Sequence, residues 1–117
     1  MKLEELPYVR IDLRTGADEQ KYVVVVIRDV QGPEKKVLWG WRARRLTHSD
    51  LVGNIWEALD QPNFDINCIG GGWLKFDELN KKIELWGHSV TFGREPDRAE
   101  SARMIKESFP AYAVGVV

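Results

Sequence analysis

The regular patterning begins at "VRIDLR", where Val9, Ile11 and Leu13 alternate with charged neighbours as in a half-buried strand. "ADEQ" reads as a turn. "KYVVVVIRDV" follows, and its four consecutive valines suit a strand covered on both faces. "QGPEKK" is a second turn and "VLWGWRARR" a third strand, with Gly40 as a candidate bulge. The period then changes. In "THSDLVGNIWEAL", Leu51, Val52, Ile55, Trp56 and Leu59 fall on one stripe of a helix, and Thr47 caps it with Asp50 three residues on. "DQPN" ends that helix. "FDINCIGG" and "GWLKF" read as two strands around the Gly70 to Gly72 triplet, and "KKIELW" as another. After "GHSVTFG", a second helix starts at Asp97 with Glu100 in the capping position. Its apolar side is Ala99, Ala102, Ile105 and Phe109, and Pro110 closes it. "AYAVGVV" is the last strand.

The order is therefore β-β-β-α-β-β-β-α-β. Hairpins dominate and two helices are available to cover a sheet, so the fold class is α+β with a mixed, largely antiparallel sheet. At 117 residues the chain is expected to form one domain around one core. Apolar residues make up 44% and charged residues 30%, an ordinary globular balance. Five tryptophans offer large aromatic area to that core.

Net charge is −1, so no global basic field recruits nucleic acid or an anionic membrane, and a small anion would have to be caught by placed residues. Arg42, Arg44 and Arg45 lie near Trp39 and Trp41, but strand alternation separates Arg42 and Arg44 from the indoles. Cys68 stands alone, which excludes an intramolecular disulfide and points to a reducing, cytoplasmic setting. His48 and His88 lack the spacing of a zinc site, so no metal or cofactor is expected. No apolar run approaches the roughly 20 residues of a membrane span.

Three segments carry candidate chemistry. His48 falls in the first turn of a predicted helix, where unpaired N–H groups and the helix dipole favour an anion and a neutral imidazole; the alternative is a surface histidine in a loop. Lys21 opens the valine strand, where it either neutralises a phosphoryl oxygen or simply ends the strand in solvent. "GHSVTFG" is either a plain turn or an anion-binding nest supplemented by the Ser89 hydroxyl. It is no nucleophile elbow, because three residues separate Ser89 from Gly93. The glycine triplet matches neither Gly-rich nucleotide motif, and close strand packing or a bulge explains it better.

These pieces together resemble the Janus/Ocnus family of phosphohistidine phosphatases, from about residue 20 to 116. "KYVVVVIR" resembles the family's Lys-Tyr-Val strand, and "LTHSDLVGNIWEAL" its Tyr-His-Ala-Asp helix start. "CIGGGWLKF" and "NKKIELWGHSVTFG" resemble its glycine-triplet strand and Tyr-Ser loop, and "IKESFPAYAV" its closing helix and strand. The resemblance implies a metal-independent phosphatase acting on a phosphohistidine-containing protein or a small phosphoramidate. It puts the catalytic histidine, as base or nucleophile, on His48. It puts phosphate binding on Lys21, the Thr47 backbone, Ser89, Val90 and Thr91. Trp73 stands where the family typically has Arg, His88 where it has Tyr, and a family His is replaced around Arg98. A monomer is expected. The rival function is a non-catalytic module that binds phosphate or phosphoprotein through the same pocket.

Overall fold

The computed structural model describes residues 1–14, 19–59 and 64–117. After a short 3-10 turn at Leu3–Glu5 come β1 (Val9–Arg10), β2 (Glu19–Asp29), β3 (Glu34–Trp41), α1 (His48–Ala58), β4 (Phe64–Asp77), β5 (Lys82–Trp86), α2 (Arg98–Ser108) and β6 (Ala113–Val116). The strands form one sheet in the order β1-β3-β2-β4-β5-β6. Its four central strands pair antiparallel, and both edge strands pair parallel to their neighbours. The fold is α+β with a mixed, largely antiparallel sheet, as its patterning predicts.

The two helices cover opposite faces. Val23, Val25 and Ile27 pack with Leu51, Ile55 and Leu59 of the α1 layer. Tyr22 and Val24 face the other way, toward Leu74, Ile83, Leu85 and Ile105 of the α2 layer. This is why the run tolerates no polar alternation: Val23, Val24 and Val25 are all buried. Each such side chain contributes about 1.5–3 kcal/mol of burial.

Several local expectations need correction. The first strand stops at Arg10, because Asp12 turns its carboxylate back onto the Arg14 N–H at 3.0 Å. The Gln20 side chain then replaces the ladder, exchanging bonds of 2.8 and 3.0 Å with the Asp12 backbone. The turn read over 17–20 lies partly outside the described residues, and Glu19 and Gln20 already belong to β2. The third strand ends at Trp41 rather than Arg45, and the Arg42 N–H is drawn off to Asp12 at 3.2 Å. Gly40 is no bulge: the β2–β3 register runs through it unbroken. "DQPN" lies outside the described residues.

The largest difference concerns the glycine triplet. The two strands expected around it are one, β4, so among the described residues the sheet has six strands rather than seven. The register slips by one residue at Ile69, and the triplet continues the strand beyond it. Glycine is required there by close approach. A Cβ on Gly71 would lie 2.2 Å from the Tyr22 carbonyl oxygen, and one on Gly72 2.6 Å from that of Trp86.

The helices begin as predicted and bury different residues. Thr47 caps α1 and Asp97 caps α2. Trp56 of the expected stripe is 44% exposed. In α2, Ala99 is exposed while Arg98 and Ser101 are buried with Ile105. Nor do the tryptophans fill the core. Trp39 is buried; Trp41, Trp73 and Trp86 are only half-buried.

Candidate functional site

Cross-strand register assembles a row of side chains at one end of the α1 face. Lys21 on β2 stands opposite Trp41 on β3 and opposite Trp73 on β4, and Trp73 stands opposite Trp86 on β5. Lys21 belongs to the same side of β2 as Val23 and Val25, which pack toward α1, so the row faces that helix. Its ammonium donates to the Leu46 carbonyl at 2.6 Å, just before the helix begins. Two of its three protons remain for another acceptor.

His48 is the first residue of α1 and is 8% exposed, so it is not the open surface histidine that a helix start suggests. Its Nε2 lies 2.9 Å from the Gly72 carbonyl oxygen. A carbonyl only accepts, so Nε2 carries the proton and donates it, and Nδ1 of the neutral ring keeps its lone pair. Burial holds the imidazole below its usual range. The Gly72 bond opposes that shift, while the charges of Lys21 and His88 reinforce it. A neutral histidine with a fixed tautomer can accept a proton or attack an electrophile at physiological pH.

The helix cap is a closed box. The Thr47 hydroxyl accepts from the Asp50 N–H at 3.1 Å, and the Asp50 carboxylate accepts from the Thr47 N–H at 2.9 Å. Thr47 is thus beside the site with its amide already bonded, and its use as a phosphate donor would require the box to open. The His48 and Ser49 amides have no carbonyl one turn back, as at any helix start.

The "GHSVTFG" segment folds as a tight loop between Gly87 and Gly93, both with positive φ, at 70° and 74°. Ser89 and Gly93 bridge through N–H···O bonds of 3.3 and 2.8 Å. The Ser89 hydroxyl accepts from the Phe92 N–H at 3.1 Å and is buried, so it closes the loop and retains its own proton as a donor. Val90, 94% exposed, and Thr91 form the tip. The loop is tied to the triplet by the Gly71 N–H, which donates to Gly93 at 2.9 Å.

One indole touches all three segments. The Lys21 ammonium sits over the Trp73 ring, 5.4 Å from its centroid. The His48 ring meets Trp73 edge-on at 6.5 Å. A Cβ on Gly87, the first residue of the loop, would lie 3.1 Å from Trp73 Cδ1. Lys21, His48 and Gly87, the residue that opens the loop, therefore meet at a tryptophan that sequence reasoning treated only as a departure, while Ser89 bonds within its own loop and Val90 and Thr91 stand at its exposed tip.

Behind the triplet, on the α2 face, lies a polar cluster that sequence reasoning missed. Arg98 donates to Glu95 at 2.7 and 3.1 Å and to the Gly71 carbonyl at 3.2 Å. Tyr22 and Ser101 hydroxyls donate to the same carboxylate at 2.5 and 2.9 Å. Burial would raise the Glu95 pKa, but bonds from Arg98, Tyr22 and Ser101 outweigh it and hold the carboxyl ionised. Gly71 and Gly72 are thus held from behind by Arg98 and in front by His48. The available signal was the three-residue spacing of Glu95 and Arg98, with polar Ser101 where the helix should show an apolar face.

Other chemistry is poorly provided for. Burial pushes the Cys68 thiol up to about 11, which removes it as a nucleophile. Among the described residues no three His, Cys, Asp or Glu side chains gather into a set able to hold a metal ion. No helix among them is long and apolar enough to cross a membrane.

A model described as "Janus/Ocnus family (Ocnus)" matches residues 3–113. The chain belongs to the Janus/Ocnus family. The resemblance carried by "KYVVVVIR", "LTHSDLVGNIWEAL" and the triplet and loop segments is thereby borne out. Among Janus/Ocnus relatives, the chain is 27% identical over 118 residues to the 14 kDa phosphohistidine phosphatase of Sus scrofa. That match covers 96% of this chain and 90% of that protein. The Homo sapiens protein of the same name is 25% identical over 100 residues, covering 80% of this chain and 78% of that protein. The sex-regulated protein janus-A of Drosophila pseudoobscura pseudoobscura is 27% identical over 119 residues, covering 96% of this chain and 75% of that protein. Janus/Ocnus members similar to this chain thus carry both a phosphatase name and a name that states no chemistry.

Proposed function

We propose that this chain is a metal-independent phosphatase that cleaves the P–N bond of phosphohistidine on proteins, with His48 as the reacting base or nucleophile. The observation that carries the reading is the 2.9 Å bond from His48 Nε2 to Gly72, which leaves Nδ1 unprotonated on a ring that burial and the Lys21 charge keep neutral. The phosphatase names among the relatives point the same way.

Phosphoryl transfer asks the protein mainly for placement and for neutralisation of the equatorial oxygens. Lys21 supplies charge. The amides of Val90 and Thr91 at the loop tip, and of His48 and Ser49 at the helix start, supply further donors, with the Ser89 hydroxyl proton beneath them. In the general-base route Nδ1 takes a proton from water, the water oxygen bonds to phosphorus, and the P–N bond breaks as the leaving imidazole is protonated. In the covalent route Nδ1 bonds to phosphorus as the substrate's P–N bond breaks and its imidazole leaves protonated, and water then attacks phosphorus, breaking the P–Nδ1 bond to release phosphate and regenerate His48.

The test is turnover of a phosphohistidine peptide in the presence of chelator. His48→Gln is preferable to His48→Ala, because its amide can still donate to Gly72 and preserve the fold. The expected loss is on the order of 10²–10⁴-fold. A folded His48→Gln protein that keeps most of the rate would refute the assignment. The rival reading, a phosphate-binding module without catalysis, draws support from the bonded Thr47 amide, and it predicts analogue affinity with no turnover.

A further inference from the structure

We infer that Trp73 is the specificity-determining residue of this site. Its indole, with Trp86 beside it, forms a stacking floor that selects a planar azole leaving group over an aliphatic amine. The inference rests on the phosphoryl site proposed above and adds what lies next to it.

The argument starts from the row across the sheet. Trp41 carries two cations, the Arg10 guanidinium 4.6 Å and that of Arg14 5.1 Å from its centroid, whereas Trp73 carries one, the Lys21 ammonium at 5.4 Å. Trp39 is buried and also lies under Arg10. On the other side of Lys21, Trp73 and Trp86 are neighbours on adjacent strands, and each stays part-exposed. Trp73 keeps part of its ring accessible beside a cation and the His48 imidazole, where a ligand ring can reach it.

Position sets what this surface can read. The Lys21 ammonium over Trp73 marks where a phosphoryl oxygen would be neutralised. His48, edge-on to the same ring, marks the side from which the phosphorus is approached. In this proposal the leaving group, opposite His48 across phosphorus, lies over the Trp73–Trp86 pair. An imidazole there can stack on indole, and it gains further as it acquires positive charge on departure. A phospholysine amine offers a flexible alkyl chain and no ring to stack.

The experiment measures binding, so that it does not depend on turnover. Two peptides of one sequence are compared, one carrying a phosphonotriazole side chain and the other an ω-phosphonoalkyl side chain of similar length. Wild-type protein should bind the azole peptide roughly threefold to tenfold more tightly. Trp73→Leu should bind the two alike, even if loss of the contact with Lys21 weakens both. Equal affinities in the wild type, no binding of either peptide, or a preference that survives in Trp73→Leu would overturn the inference. If Trp73→Leu does not fold, the wild type still decides. The Trp73 indole N–H resonance must shift more with the azole than with the alkyl ligand, and equal shifts would overturn it. An azole preference in a protein that never hydrolyses phosphohistidine would refute the enzymatic proposal and leave this one standing.

Discussion

Gly72 is where packing and chemistry meet, and Gly72→Ala tests both. The added Cβ would lie 2.6 Å from the Trp86 carbonyl oxygen and 2.8 Å from Arg98 Nη2, short of ordinary 3.4 Å contact by as much as about 0.8 Å. The nearer obstacle is backbone held in the β4–β5 ladder, so β4 must move, and the Gly72 carbonyl that accepts from His48 moves with it. Overpacking of this kind costs about 1–3 kcal/mol, and loss of the hydrogen bond about 0.5–1.5 kcal/mol more. The total, about 1.5–4.5 kcal/mol, is a large part of the 5–15 kcal/mol typical of a domain. Urea unfolding should then show a midpoint lower by about 1–2 M for a slope of about 2 kcal/mol/M. Gly53→Ala is the control. Nothing lies within 4 Å of its Cβ position in α1, and the change should stabilise the helix by about 0.5–1 kcal/mol. A Gly72→Ala protein within about 0.5 kcal/mol of the wild type, with the His48 Nε2–H signal unmoved, would refute the account of the triplet.

The remaining predictions are shorter. Glu95→Gln removes the charge paired with buried Arg98 and should destabilise the protein by about 3 kcal/mol in denaturant titration; a change under about 1 kcal/mol would mean the pair contributes little. Lys21→Ala should weaken binding of a phosphate analogue and, by calorimetry, remove part of its salt dependence; unchanged affinity would make the lysine only a strand end. Because His48 titrates below 6.5 in the folded chain, the acidic limb of kcat/KM should have its midpoint below that value. The same shift makes stability fall as pH drops from 6.5 toward the folded pKa, since the unfolded chain takes up the proton first. His48→Gln should flatten that dependence, and an acidic limb at or above 6.5 would contradict the neutral ring.

The parts of this fold legible in sequence were those written in local pattern. The valine run, both N-caps and the α1 stripe through Leu51, Ile55 and Leu59 each follow from residues a turn or a strand apart. What misled was non-local. Glycine triplets usually interrupt strands, but here Gly71 and Gly72 admit a neighbouring backbone that pattern cannot reveal. Asp12 ended a well-alternating strand through bonds to Arg14 and Gln20, a choice local periodicity does not encode. For the site, Lys21, His48 and the Ser89 loop could be named from motif wording. Trp73 as their meeting point, and Glu95 with Arg98 behind it, emerge only from the β2–β4 and β4–β5 registers.

The pairing of β2 with β4 at the centre of the sheet has a consequence for how the molecule comes into being. Lys21 faces Trp73 across a junction closed only after α1 and the segment following it have been laid down. No hairpin excised from either half would hold both Lys21 and Trp73, and a chain released too early from its template would lack their pairing. Folding limited by such distant pairing belongs to the slower range, roughly milliseconds to seconds. Ligand affinity should therefore arrive in a single late step together with full burial of the valine strand.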